Sequence, residues 1–185
     1  VVTIAQWVAA LPGAVGRVPA FGTGALLVMT AGLLALGLLR TPLRWLGVAG
    51  LAVGIAWAAA TPKPDIVVAA DGGSVAVRGT DGRLRLMSIR RDAFTAREWL
   101  AADADARSAT DASLATGVSC DAAGCVVALR GAALVALART PEAFADDCAR
   151  ATVLVTSLQA PPACGALVVD AERLAQTGAL ALRQT

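Results

Sequence analysis

Four cysteines, in two pairs, are the residues of this chain whose type and spacing could form a covalent or metal-binding site. Cys120 and Cys125 flank the four residues Asp-Ala-Ala-Gly, a spacing typical of a β-hairpin loop. Residues on either side of such a loop face each other across the strand pair, close enough for a disulfide bond. Cys148 and Cys164 bracket a segment predicted to be a strand and could close a second loop. We therefore predict two disulfides, Cys120–Cys125 and Cys148–Cys164.

The sequence is also consistent with two other states of the cysteines, zinc-bound thiolates and free thiols. Four thiolates could bind one zinc ion, although neither pair has the C-x2-C spacing common in structural zinc sites. In a reducing compartment the four side chains would instead be buried free thiols. An even number of cysteines in a domain outside the cytoplasm favours disulfides over both. The bridge that closes about 15 intervening residues should stabilise the fold by roughly 3 kcal/mol, and the shorter one by less.

Most other catalytic chemistry is excluded by composition. The chain has no histidine and no tyrosine, so it offers no histidine base, no Ser/His/Asp or Cys/His nucleophile and no His-ligated metal site. For metal-dependent DNA hydrolysis only a carboxylate site for magnesium would remain, and Asp71, Asp81 and Asp170 are its candidates. We predict no catalytic, cofactor-binding or metal-binding residue, no enzyme activity and no small-molecule substrate.

The chain is too apolar for an ordinary soluble domain and divides sharply by charge. Of its 185 residues, 57% are hydrophobic and 16% are charged, with a mean hydropathy of +0.66. Every carboxylate side chain comes after residue 64, and residues 65–185 carry 12 Arg against 14 Asp or Glu. The first part therefore belongs in a membrane, and the second is a nearly neutral α+β domain without the basic character of a nucleic-acid-binding module.

Two uncharged segments, about 21–39 and 43–60, predict a transmembrane helical hairpin over residues 17–61. The first has nearly the length that a hydrocarbon core of ~30 Å requires, and the second reaches it if Arg44 extends to the interface. Arg40 and Arg44 lie in the short turn between them, and short basic loops remain cytoplasmic. We expect a multi-pass protein of the bacterial inner membrane, with the lipid bilayer as a partner and residues 65–185 in the periplasm.

Residues 1–16 are apolar but are interrupted by Pro12-Gly13, which predicts an interfacial or re-entrant segment. The chain begins at Val1, and we expect it to be a piece of a longer protein with further helices before that residue. After residue 64, Asp-Gly turns and alternating apolar residues predict two β-meanders with short helices. The polar stretch that contains Asp103, Asp105 and Asp111 predicts a solvated, mobile loop with no fixed structure.

An ordered series of segments resembles the C-terminal part of the ComEC family of competence proteins, in the form associated with alphaproteobacteria. The segments are, in order, VAALPGAVGRVPA, RTPLRWLG, PDIVVAADGGSVAVRGTDGRLRLMS, AREWLAADAD, CDAAGCVVALRG, EAFADDCARATVLVTS and VVDAERLAQTGALAL. The resemblance runs through nearly the whole chain, with its first segment beginning at residue 8 and its last ending at residue 182. The resemblance lies in their order, because none of them is diagnostic alone.

The resemblance implies a segment of an inner-membrane channel that passes single-stranded DNA into the cytoplasm during natural transformation. Many members carry a metallo-β-lactamase-like domain after the membrane part, with a metal-binding His-x-His-x-Asp-His pattern. That pattern has no counterpart here, since histidine is absent. The soluble domain is then either a shortened, metal-free relative of that fold or an unrelated replacement. A periplasmic structural or interaction domain unrelated to DNA transport is the alternative function.

Overall fold

The computed structural model describes residues 3, 6, 7, 19–88, 93–129, 131 and 133–184. The chain forms two units, Val18–Lys63 and a second unit that contains Pro64–Thr185. Apart from Thr3, Gln6 and Trp7, the segment 1–16 that was predicted to be interfacial or re-entrant lies outside the described residues.

The first unit is a pair of helices whose backbones meet at glycines. Helix α1 is Thr23–Leu38, a 3₁₀ turn follows at Pro42–Arg44, and helix α2 is Trp45–Ala60. Gly32 and Gly47 are buried where the helices meet, and a Cβ atom built on Gly47 would lie 2.6 Å from the carbonyl oxygen of Gly32. Only residues without a side chain permit so close an approach of two helices.

The outer faces of this helix pair are apolar and exposed. By length and composition, one helix within the described residues could cross a membrane, the 19 residues Pro42–Ala60. Helix α1 is equally apolar but has 16 residues, about 24 Å of helix against the ~30 Å of a hydrocarbon core. The large side chains that are at least half exposed include Leu26, Leu27, Leu33, Leu34 and Leu38 on α1 and Leu46, Val53, Ile55 and Trp57 on α2.

The second unit begins with a three-stranded meander. Strands β1 (Ile66–Val68), β2 (Ser74–Arg78) and β3 (Leu84–Ser88) are antiparallel. The Asp-Gly turns predicted between them are present, and Gly72 and Gly82 adopt positive φ angles of 65° and 76°, which glycine tolerates without strain. A fourth strand, β9 (Leu180–Leu182), adds to the free edge of β1, so that the sheet has the order β3-β2-β1-β9.

A second, mixed sheet has the order β4-β5-β6-β7-β8. Its antiparallel part is the second predicted meander, with β4 at Val118–Cys120, β5 at Gly124–Ala128 and β6 at Leu134–Ala138. Its last two strands, β7 (Val153–Thr156) and β8 (Leu167–Val169), run parallel to β6. Parallel neighbours need crossover connections, and a helix after β6 and the loop after β7 supply them.

The helices of this unit are short. Helix α3 is Ala93–Ala102, α4 is Phe144–Arg150 after a 3₁₀ turn at Pro141–Ala143, and α5 is Ala171–Thr177. The carboxylate of Asp170 accepts a hydrogen bond from the Arg173 backbone N–H and so caps α5, as its position predicted. Among the described residues the domain is therefore a mixture of two sheets and three short helices, and the predicted small α and β domain is confirmed.

The two sheets share one apolar interior. The first contributes Ile66, Val68, Val75, Val77 and Met87, and the second contributes Cys125, Val127, Leu129, Val135, Leu137, Val153, Val155 and Val169. These residues alternate along their strands, as side chains on one face of a strand must. The alternate residues Ala136, Ala138 and Leu154 form a second cluster with Phe144 of α4 on the opposite face of the second sheet.

The prediction of a mobile, structureless loop around residues 103–113 is wrong. Asp103 accepts two hydrogen bonds from the buried guanidinium of Arg78, at 2.7 and 3.1 Å. Asp105 pairs with Arg107 at 2.6 Å, and both side chains are largely buried. Asp111 caps a 3₁₀ turn at Ala112–Ala115. The polar composition that predicted solvation therefore supplies buried ion pairs and a cap, because the guanidinium groups of Arg78 and Arg107 and the Ser113 N–H lie within hydrogen-bond distance.

We expect Gly47→Leu to destabilise the helix pair by about 1–3 kcal/mol, because the new side chain must push Gly32 away. The measurement is unfolding by SDS in mixed micelles, followed by Trp57 fluorescence in a background with the other three tryptophans changed to phenylalanine. The edge of the Trp57 ring packs against α1, 3.1 Å from a Cβ atom built on Gly24.

The matched control is Gly37→Leu, because nothing lies within 4 Å of a Cβ atom built on that glycine. It should unfold at the SDS fraction of the parent chain. Equal shifts in the two variants would show that the helices do not pack through Gly47.

Candidate functional site

The first cysteine pair lies at the end of the β4–β5 hairpin. The Asp121 N–H donates to the Gly124 carbonyl at 2.9 Å, so the next pair outward, Cys120 and Cys125, is of the closer, non-hydrogen-bonded kind. Their Cα atoms are 4.0 Å apart and their sulfurs are bonded. The Asp121 carboxylate holds the turn by accepting from the N–H groups of Ala123 and Gly124, both at 2.8 Å.

The two sulfurs of this bridge have different surroundings. Cys120 is exposed on β4, an edge strand, whereas Cys125 is 2% exposed and belongs to the interior between the sheets. A basic side chain lies next to the buried sulfur: Nη2 of Arg139 is 3.1 Å from Cys125 Sγ. Sequence reasoning missed Arg139, which follows β6 directly and carries no motif of its own.

The second pair joins a helix to a loop. Cys148 lies in α4 and Cys164 precedes β8; their Cα atoms are 4.8 Å apart and their sulfurs are bonded across 16 positions of sequence. Both side chains are half-buried against the cluster around Phe144. The bridge thus fixes α4 and the loop before β8 on the same face of the second sheet.

The structure therefore pairs the four cysteines as the sequence predicts, and they are not placed as one four-thiolate zinc site. Across the described ranges, no three His, Cys, Asp or Glu side chains are grouped so that they could bind a metal ion. The three carboxylates named for magnesium serve the backbone instead. Asp71 accepts from the Gly73 N–H at 2.9 Å, Asp81 accepts from the Arg83 N–H at 3.2 Å, and Asp170 caps α5.

A groove of about 250 Å³ lies beside the hairpin and is acidic. Asp121, Glu142, Asp146 and Asp147 all line it. Burial raises the pKa of Asp147, and the neighbouring carboxylates of Asp146 and Asp121 raise it further. By contrast, a hydrogen bond with the Thr140 side chain lowers the pKa of Glu142. A surface of this charge repels a phosphate backbone, which proteins contact through Lys and Arg, so the groove does not fit nucleic acid.

Arg78 and Arg107, whose side chains are largely buried, form hydrogen bonds within the domain. The Arg78 side chain donates to the carbonyls of Pro64 and Gly82 at 3.1 and 2.8 Å, in addition to its pair with Asp103. The Arg107 side chain donates to the Leu84 carbonyl at 2.8 Å, and its hydrogen bonds hold the pKa of Asp105 below the usual range. These cations connect the first sheet to the segment after α3 and are not free to bind a ligand.

Compared with protein-family models, curated proteins and solved structures, the chain gives no match. Within the described residues, the geometry presents two disulfides of different surroundings, an acidic groove and an exposed apolar helix pair.

We expect the double variant Cys148→Ala/Cys164→Ala to lose more stability than Cys120→Ala/Cys125→Ala. The loops span 16 and 5 positions, for which the chain-entropy model gives a difference of about 1 kcal/mol. Alanine is used because a serine hydroxyl at the buried Cys125 would add a desolvation cost of its own.

Both variants would be compared with the parent chain in mild detergent, by pulse proteolysis across a urea titration. Parent and variants should share one urea dependence and differ in midpoint. A lower midpoint for the Cys120/Cys125 variant than for the Cys148/Cys164 variant would contradict the loop-length argument.

Proposed function

We propose that this chain is the C-terminal segment of an inner-membrane DNA-uptake channel of the ComEC type, with a non-catalytic domain in the periplasm. The observation that carries the membrane part is the apolar, exposed surface of α1 and α2, with large side chains such as Leu27, Leu38 and Leu46 at least 65% exposed. Exposed apolar surface of this extent requires lipid or further helices to cover it. The channel assignment rests on the ordered resemblance of the sequence segments.

The proposal treats both helices as membrane spans. The uncharged sequence 21–39 extends α1 at both ends, and local thinning of the bilayer or packing against upstream helices would accommodate its short helical length. The glycines that line the contact of the two helices are typical of association inside a membrane, where no hydrophobic driving force acts between helices and close van der Waals packing replaces it.

The side of the membrane follows from charge and from the cysteines. Arg40 and Arg44 flank the connection between the helices and are exposed, which favours the cytoplasm for that turn. A pair of spans then returns the chain to the other side, so that Lys63 and the domain after it face the periplasm. Two cysteine pairs at disulfide distance support an oxidising compartment.

The proposed role of the domain is structural and not enzymatic. Several of its carboxylates, among them Asp71, Asp103 and Asp170, hold a turn, pair with a buried arginine or cap a helix, and the chain has no histidine to bind a catalytic metal or act as a base. Two facing sheets placed after the membrane part are compatible with a shortened, metal-free relative of the metallo-β-lactamase-like domain. The acidic groove would keep the DNA strand away from that face.

A topology reporter tests the membrane arrangement. Alkaline phosphatase, which is active only in the periplasm, would be fused after Thr185 in the full-length protein, and β-galactosidase, which is active only in the cytoplasm, would be fused at the same place. We expect the first fusion to be active and the second to be silent. The basic turn between the helices should stay in the cytoplasm, so that the chain after the second helix lies in the periplasm. The reverse activities would overturn the orientation and remove the compartment argument for the disulfides.

A transformation assay tests the channel. In a naturally transformable host, deletion of the gene should reduce the transformation frequency to background, and the intact gene should restore it. Gly47→Leu should reduce the frequency about tenfold at equal membrane abundance, in keeping with a packing cost of more than about 1 kcal/mol, whereas Gly37→Leu should not. Unchanged transformation after deletion would contradict DNA uptake.

That last result would favour the alternative function, a periplasmic structural or interaction domain on a membrane protein unrelated to DNA. The near-neutral charge of residues 65–185, with 12 Arg and 14 acidic residues, is the observation that favours this alternative. The topology reporter would give the same result for both functions, so the two experiments separate the membrane proposal from the DNA proposal.

A further inference from the structure

The Cys120–Cys125 disulfide combines an accessible sulfur with a buried sulfur next to a cation. Cys120 is exposed at the end of an edge strand, so a reagent in solution can reach it. Cys125 is 2% exposed, and Nη2 of Arg139 lies 3.1 Å from its sulfur. In thiol–disulfide exchange, the accessible sulfur is attacked and the other leaves as a thiolate, so stabilisation of the leaving thiolate speeds the reaction.

Arg139 is held firmly in this position. Its backbone N–H donates to the Ala123 carbonyl at 2.8 Å, and its side chain donates to the carbonyls of Asp121 at 3.3 Å and Ser88 at 3.1 Å. Its Nε is buried and has no hydrogen-bond partner within the described part of the chain. A buried donor without an acceptor is costly, and a thiolate on Cys125 would place a negative charge beside this guanidinium.

We propose that Cys120–Cys125 is a thiol-exchange site, opened by a dithiol reductant. A thiolate of the reductant attacks Cys120 Sγ and forms a new S–S bond there, while the Cys120–Cys125 bond breaks and its electron pair goes to the Cys125 thiolate beside Arg139. The second thiol of the reductant loses its proton and attacks the reductant's first sulfur, which is bonded to Cys120 in the mixed disulfide. Cys120 then leaves as a thiolate and takes a proton, and two electrons have passed from the reductant to the protein.

The Cys148–Cys164 disulfide provides an internal comparison. Both of its cysteines are half-buried, so a thiol in solution reaches neither sulfur as readily as it reaches Cys120, and exchange at this bridge should be slower. Opening the first bridge would release only the edge strand β4, which has three residues and pairs with β5 alone in its sheet. The interior between the sheets would stay closed.

The first experiment measures the opening of both bridges in the same molecules. The oxidised full chain in detergent micelles would be treated with dithiothreitol for timed intervals, alkylated with N-ethylmaleimide and analysed by peptide mass spectrometry. We expect Cys120–Cys125 to open at least about tenfold faster than Cys148–Cys164. Equal rates, or faster opening of the second bridge, would overturn the proposal.

The second experiment identifies the attacked sulfur and the role of Arg139. With 2-mercaptoethanol as a single thiol, the trapped mixed disulfide should be on Cys120 and not on Cys125. Arg139→Gln should slow this step about tenfold, because the leaving thiolate loses a charge-assisted hydrogen bond, and Arg139→Lys should recover part of the rate. The control is Arg150→Gln, which removes an arginine whose side chain is 72% exposed and should not change the rate.

The direction of the effect separates exchange chemistry from unfolding. A variant that unfolds would expose both bridges, and both would be reduced faster. Loss of the proposed role of Arg139 would instead slow the opening of Cys120–Cys125 only. A mixed disulfide on Cys125, or an Arg139→Gln rate equal to that of the parent, would overturn the proposal. The inference goes beyond the proposed function and does not depend on DNA uptake or on the topology result.

Discussion

The apolar layer between the two sheets is the constraint on which the rest of the domain depends. It is built from Val, Ile and Leu side chains that alternate along strands of both sheets, and the described members of this layer are nearly all inaccessible. Burial of such side chains stabilises a fold by roughly 1.5–3 kcal/mol each relative to exposure. The layer also fixes strand register, because a shift of one residue would turn every apolar side chain outward. Cys125 lies in this layer, so the hairpin that carries the first bridge is positioned by it.

Two largely buried arginines connect separate segments of this domain by hydrogen bonds and ion pairs. Arg78 connects the junction at Pro64, the turn at Gly82 and the segment at Asp103, while Arg107 connects β3 to the turn after α3. Such buried cations are stable only when paired and hydrogen-bonded, and their partners are Asp103 and Asp105.

The two disulfides illustrate two uses of the same bond. The bridge between α4 and the loop before β8 constrains a long segment and acts mainly on the unfolded chain. The bridge across the β4–β5 hairpin constrains a turn that Asp121 already holds by three hydrogen bonds. Its contribution to stability is therefore smaller, and the guanidinium of Arg139 lies beside its buried sulfur. Loop length and local charge, and not the bond itself, distinguish them.

The sequence alone determined the features that depend on neighbouring residues: both meanders, the Asp-Gly turns, the cap at Asp170 and the pairing of cysteines across a four-residue loop. Each follows from turn chemistry or from alternation within a short segment. Only the tertiary structure decided that β9 returns to pair with β1, that β7 and β8 run parallel to β6, that residues 103–113 are ordered by Arg78 and Arg107, and that Arg139 reaches Cys125. Those contacts join positions far apart in the chain, and a single sequence carries no periodic signal for them, because they arise from the packing of the two sheets.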